Sequence, residues 1–137
     1  MRILIDTNVV LDVLLDRKPH SHDSSQVFRM VEEGTVAGLL CTTTVTTIDY
    51  LLAQTLSRAD AKKLLTKLIR LFDIATVNRI VVEGALNSRI ADFEDAVLDE
   101  AARHASVDAL VTRNAKDFAN AYSRILDPRQ FLVQLNK

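Results

Sequence analysis

The stretch Met1–Val10, "MRILIDTNVV", sets three polar side chains, Asp6, Thr7 and Asn8, directly behind the apolar run Ile3-Leu4-Ile5. A short run without polar alternation is what a strand covered on both faces requires, as in a mostly parallel sheet flanked by helices. Continued burial would call for more apolar residues, so the abrupt change marks a strand end where polar groups are wanted. In open α/β sheets such groups collect beyond the carboxyl ends of the strands, and Asp6 falls there.

The remaining chain repeats that alternation. Asn8 to Leu15 reads as a short helix, and Pro19 with Ser21 and Asp23 signals a break and a new helix. This second helix carries Val27, Phe28 and Val31 on one face and stops near Gly34; Val36 to Cys41 is the next strand. In "TTTVTTIDYLLAQTL" the threonines favour strand, but Val45, Ile48, Leu52 and Leu56 recur at helical spacing, so a helix is expected after the first threonines. Ser57 with Asp60 resembles a capping pair for a helix striped by Leu64, Leu65, Leu68 and Ile69. Phe72 to Val77 is a weaker strand, Ile80 to Ile90 a helix, and Asp92 caps another running to about Ala105. "DALVT" is a further buried strand and Ile125-Leu126 a last short one. Pro128 opens a C-terminal helix through Leu135. Strands alternating with helices predict an α/β domain with a mainly parallel sheet.

The chain has 137 residues, 48% of them apolar, which fits one domain spanning residues 1–137 with a real core. A mean hydropathy of +0.10 and no apolar run near membrane-spanning length predict a soluble protein with no membrane partner. The first ten residues lack the basic and long apolar regions of a signal peptide, and the lone Cys41 has no disulfide partner. A cytoplasmic protein is expected, with Cys41 a small core residue. The net charge of −1 decides nothing about a nucleic-acid partner, since a binding surface is local. Only Gly34, Gly38 and Gly84 are present, so no glycine-rich nucleotide loop can be built.

Three stretches place polar groups at strand ends: Asp6, the Thr112-Arg113-Asn114 turn with Asp117 after it, and the helix start "DFEDA". Asp95 lies three and seven residues before Leu98 and Ala102, at the N-terminal end of an apolar stripe, and so should face the sheet. An acid there is costly unless paired or bound to a cation. Several carboxylates at one spot suit a hard divalent ion, Mg2+ or Mn2+, which takes oxygen ligands and leaves positions for phosphate oxygens. Asp6, Asp95 and Asp117 are the candidate metal ligands, with Asn114 a neutral ligand or hydrogen-bond donor. Asn8 and Thr112 are expected to hold the acids through hydrogen bonds, and Glu94 to stand behind Asp95. Asp92 is read as a helix cap only.

"ILIDTNVVLDVL", "DFEDAVLDEAARHASVDALVTRNAKDF" and "ILDPRQFL" together resemble the PIN-domain family, which includes the toxins of bacterial toxin–antitoxin pairs. The resemblance runs in order from Met1 to near the C-terminus. "DTN" after a strand is weak by itself; its combination with "EDA" and "VTRNAKDF" is specific. The resemblance implies a three-layer α/β/α sandwich, divalent-metal cleavage of single-stranded RNA, a possible antitoxin partner and frequent homodimerisation. Asp6 matches the family's first acid, Asp95 the acid opening the late helix, and Thr112 the threonine of the T-R-[DN] turn.

Two positions depart from the family pattern. Many members carry Glu in the middle helix within T-x-x-E-L, where Thr44-Val45-Thr46-Thr47-Ile48 places Thr47. Asp49 is a partial substitute, but an offset of two residues turns a helical side chain by roughly 200°. Asn114 stands where many members have Asp, and Asp117 is expected to supply that charge. Arg113, flanking the site, is the best candidate to contact RNA phosphates, ahead of Arg17, Lys18 and Lys116. His20, His22 and His104 read as surface residues. The sequence therefore predicts an Mg2+- or Mn2+-dependent endoribonuclease. Two rivals stand beside it: a non-catalytic PIN domain that binds RNA or a protein, motivated by Thr47 and Asn114, and a receiver-like phosphoacceptor, which wants a Lys after a late strand where this chain has Thr112-Arg113-Asn114.

Overall fold

The computed structural model describes residues 1–136. Five strands, β1 (Arg2–Ile5), β2 (Ala37–Cys41), β3 (Asp73–Ala75), β4 (Ala109–Val111) and β5 (Ile125–Leu126), form one sheet in the order β3-β2-β1-β4-β5. Every pairing is parallel. The strand order reverses around β1, so the crevice beyond its carboxyl end is the topological switch point.

Seven helices cover the sheet: α1 (Thr7–Leu14), α2 (His20–Glu32), α3 (Thr42–Leu52), α4 (Arg58–Leu71), α5 (Arg79–Leu86), α6 (Phe93–His104) and α7 (Pro128–Leu135). Alternation along the short strands divides the core. Ile3, Ile5, Leu40 and Val111 face one layer with Val9, Val27, Ile48, Leu68 and Phe131, contributed by α1–α4 and α7. Leu4, Leu39, Cys41 and Leu110 face the other with Val81, Ala85, Val97 and Leu98, from α5 and α6. The result is the expected three-layer α/β/α sandwich, with Cys41 in the core. Among the described residues no helix is long and apolar enough to cross a membrane.

Gly38 shows why one strand position must be small. A Cβ there would lie 2.6 Å from the Phe72 ring and 2.9 Å from Val31. Phe72 in turn stacks edge-on against Phe28 at 5.1 Å between centroids, joining α2 and α4 over β2.

Element boundaries differ from the sequence reading in small, explicable ways. The helix expected to reach Ile90 stops at Leu86. Ser88 Oγ accepts the Ile90 N–H, so Ile90 enters the core from a turn. α3 starts at Thr42, because tertiary packing of Ile48 and Leu52 overrides the local strand preference of threonine. A 3-10 turn at Ala115–Phe118, not visible as periodicity, buries Phe118 and presents Asp117.

Three helices end in a left-handed residue with paired reverse hydrogen bonds to the last turn. Gly34 (φ 78°) ends α2, Ser106 (φ 56°) ends α6 and Asp16 (φ 47°) ends α1. At the last of these, Asp16 N–H donates to Val13 O and Arg17 N–H to Asp12 O, which turns Arg17 back along α1.

Candidate metal centre and its basic rim

Strand register builds the centre. Ile5 pairs with Val111, so the next residues, Asp6 and Thr112, emerge side by side. Asp6 N–H donates to Val111 O at 2.9 Å, and the buried Thr112 Oγ1 donates to Asp6 Oδ2 at 2.7 Å. Asp6 also caps α1, its Oδ1 accepting from Thr7 N–H at 2.7 Å. Asn8 joins the two turns: its Nδ2 donates to Asp6 Oδ2 and its Oδ1 accepts the Arg113 N–H, each at 3.3 Å. Thr112 Oγ1 accepts the Asn114 N–H at 3.0 Å. The expected holding roles of Asn8 and Thr112 correspond to these bonds.

One cleft is bordered by Asp6, Asn8, Glu94, Asp95, Arg113, Asn114 and Asp117. The sequence-predicted acids thus meet although they are spread from residue 6 to residue 117. Thr47 stands at the edge, its Oγ1 donating to Glu94 Oε1 at 3.5 Å. Asp49 is a correction: it faces away from the cleft and forms a two-oxygen ion pair with Arg58 at 2.7 and 2.8 Å, tying α3 to α4. Its offset along the helix is the cause.

The acids of the cleft are crowded and only partly offset by Arg113. Burial pushes the Asp6 carboxyl above its usual range, against the hydrogen bonds from Thr112 and Thr7 that favour the anion. Asp95 is raised to about 7, first by burial and then by Asp92, Asp6, Asp117 and Glu94. The start of α6 should favour ionised side chains; burial and like charge outweigh it.

Those hard oxygen donors, crowded and short of cations, fit Mg2+ or Mn2+ in chemical kind. Among the described residues no three carboxylates, imidazoles or thiols converge closely enough to enclose an ion unaided. Mg2+ is commonly held by one or two carboxylates, with water and substrate phosphate completing its shell.

Sequence reasoning missed two participants and ranked a third low. Asp92 caps α6, its Oδ1 accepting the Asp95 N–H at 3.0 Å, but it also borders the cleft. Arg17, ranked below Arg113, borders it too. Asp12 was given no role, yet its side chain is fully buried and bound to both arginines. Nothing in sequence spacing marks it, because the Asp12–Arg113 pair spans 101 residues.

The arrangement has known counterparts. A family model described as the PIN domain matches residues 2–116. The fold is similar to that of VapBC2 from Rickettsia felis bound to a promoter DNA fragment, with a TM-score of 0.72 and 12% identity over 93% of this chain and 98% of that one. A toxin–antitoxin complex from Klebsiella pneumoniae gives 0.70 and 19% over 92% and 97%. FitAcB from Neisseria gonorrhoeae gives 0.71 and 21% over 93% and 98%. No curated protein matches the sequence significantly. With the family match spanning most of the chain and the sheet order, helices and acid cleft in place, this protein belongs to the PIN-domain family.

Proposed function

We propose that the protein is a divalent-metal-dependent endoribonuclease acting on single-stranded RNA, and that it is the toxin of a toxin–antitoxin pair working in the cytoplasm. The carrying observation is that Asp6, Asp95 and Asp117 border one cleft, with Asp95 raised to about 7 by burial and by the neighbouring carboxylates. The toxin reading draws on the similar solved structures, among them a toxin–antitoxin complex from Klebsiella pneumoniae.

Asp6, Asp95 and Asp117 would hold Mg2+ or Mn2+, which when bound supplies activation of water and neutralises charge developing on a phosphodiester. The chain's own residues do the rest. Thr112 and Asn8 fix the orientation of the Asp6 carboxylate through their hydrogen bonds. The Asn114 side chain borders the same cleft and offers a neutral carbonyl and amide for orienting the phosphodiester. Arg113 and Arg17 present positive charge at the cleft wall.

The test is cleavage of a mixed-sequence single-stranded RNA with Mn2+, with Mg2+ and with chelator, by wild type and by Asp95→Asn. Metal-dependent cutting that falls by about 100-fold or more in Asp95→Asn is the expected outcome; equal single-turnover rates would overturn the assignment. A second reading, a PIN domain that binds RNA or a protein without cutting, is favoured by Thr47, which puts a hydroxyl beside Glu94 where many family members carry an acid. Folded wild type that binds RNA but cuts it with neither Mn2+ nor Mg2+ would establish that reading instead.

A further inference from the structure

Asp12 is the one wholly buried aspartate of α1, and two arginines converge on it from different parts of the chain. Arg113 meets it edge-on, Nε donating to Oδ2 and Nη2 to Oδ1, the latter at 3.1 Å. Arg17 Nε donates to Oδ1 at 2.9 Å, and Arg17 Nη2 donates to the Asn8 carbonyl at 3.1 Å. Both guanidiniums are therefore fixed by hydrogen bonds while remaining partly open, with side-chain exposures of 40% for Arg17 and 25% for Arg113.

A single arginine would neutralise the buried carboxylate, and an apolar side chain in place of such a group commonly serves stability as well. The second arginine leaves the group with one net positive charge. Among the described residues neither arginine forms an ion pair with Asp6, Asp92, Glu94, Asp95 or Asp117, although all border the same cleft. Asp12 thus takes the close pairing of both cations, and Arg113 reaches Asp6 only as a nearby charge. The acids stay free for a metal ion, and the outer edges of the guanidiniums stay free for an anion. Arg113 is also shared with an adjoining hollow between the starts of α2 and α7, bordered by His20, Asp23, Ser24, Asp127 and Arg129. Arg113 thus borders both the acid cleft and that hollow, and Arg17 borders the cleft beside it.

We propose that Arg17–Asp12–Arg113 is a preset phosphate clamp: Asp12 is a positioning residue that holds two guanidiniums to grip the RNA phosphate next to the one over the acids. The clamp rests on the reading of RNA as the substrate. Guanidiniums suit it because their rigid fork matches phosphate oxygens and because holding them in advance removes the ordering cost from binding.

The sign of one substitution separates a preset clamp from general positive charge. Asp12→Asn removes a negative charge, so charge alone predicts tighter RNA binding; the clamp predicts weaker binding because the arginines lose their anchor. The measurement is fluorescence anisotropy of a labelled ten-residue oligouridylate with the full chain in chelator, across a salt series, with circular dichroism to verify folding. Asp12→Asn is expected to bind about tenfold more weakly. Arg17→Lys and Arg113→Lys keep the charge and the Asp12 pairing, and serve if Asp12→Asn does not fold. Each should weaken binding while leaving the slope of log Kd against log salt nearly unchanged, whereas Arg17→Ala should lower that slope by about 0.7. Wild-type binding with tighter Asp12→Asn, or with lysine variants equal to wild type, overturns the clamp and leaves the RNA reading standing. No RNA binding by wild type overturns both.

Discussion

Asp6 and Asp12 lie six residues apart at the start and in the middle of the same short helical segment, both buried, and they are treated in opposite ways. Asp6 receives hydrogen bonds from a hydroxyl, an amide side chain and a backbone N–H, but no ion pair, and burial raises its pKa. Asp12 receives three hydrogen bonds from two guanidiniums. A buried anion that the protein itself pairs is a structural anchor; one held by hydrogen bonds, with Arg113 near but not paired to it, suits an ion from outside. The contrast sharpens the proposed site more than burial or charge taken singly.

The largest test of that contrast is stability. Asp12→Ala leaves two arginines without their anion and should cost about 3 kcal/mol, the lower end for a broken buried pair because both arginines keep some contact with solvent. Asp6→Asn should stay within about 1 kcal/mol of wild type, since an asparagine still caps α1 and relieves the crowding of like charges. Urea unfolding with unchanged slope reads both values. Equal losses would break the distinction.

A smaller test concerns how Asp6 is held. Thr112→Val removes the 2.7 Å hydrogen bond to Oδ2 and should weaken Mn2+ binding by about 10- to 100-fold in calorimetry, as loss of a ligand's outer partner does. An unchanged affinity would mean that Asp6 needs no orienting hydroxyl.

The smallest effect lies in pH. The folded Asp95 carboxyl is raised from 3.8 to about 7, so the folded chain binds a proton more tightly than the unfolded chain. The stability this supplies is fully present below pH 3.8 and is lost as pH rises through about 7. Without metal, Asp95→Asn should therefore be more stable than wild type at pH 8, by on the order of 1 kcal/mol after allowing for solvent screening, and the gap should close toward pH 4. Melting both proteins at the two pH values checks this. A wild type whose relative stability does not fall with pH would remove Asp95 from the uncompensated acids.

Much of the site was legible because its residues sit at ends of elements that announce themselves. Ile3-Leu4-Ile5 reads as a buried strand, and Asp6 follows it directly; Leu98 and Ala102 are both in the core, and Asp95, one and two turns before them, borders the cleft. Asp49 was expected at most as a partial substitute because of its helical phase, and that phase gives it to Arg58. Asp92 was read for the local hydrogen bond that caps α6, and that reading was true but incomplete.

By itself the sequence determined the alternation of strands and helices, the apolar faces and the acids at the strand ends, because each depends on neighbours within a few residues. Only the tertiary structure decided which charges meet. Strand order β2-β1-β4 brings residue 6 beside residue 112, and the left-handed turn at Asp16 folds Arg17 back onto Asp12 where Arg113 arrives from the other half of the chain. Coulomb energy and desolvation depend on separation in space and on exclusion of water, neither of which is written in sequence distance. The difference between a neutralised Asp12 and an exposed demand for charge at Asp6 and Asp95 therefore belongs to the fold.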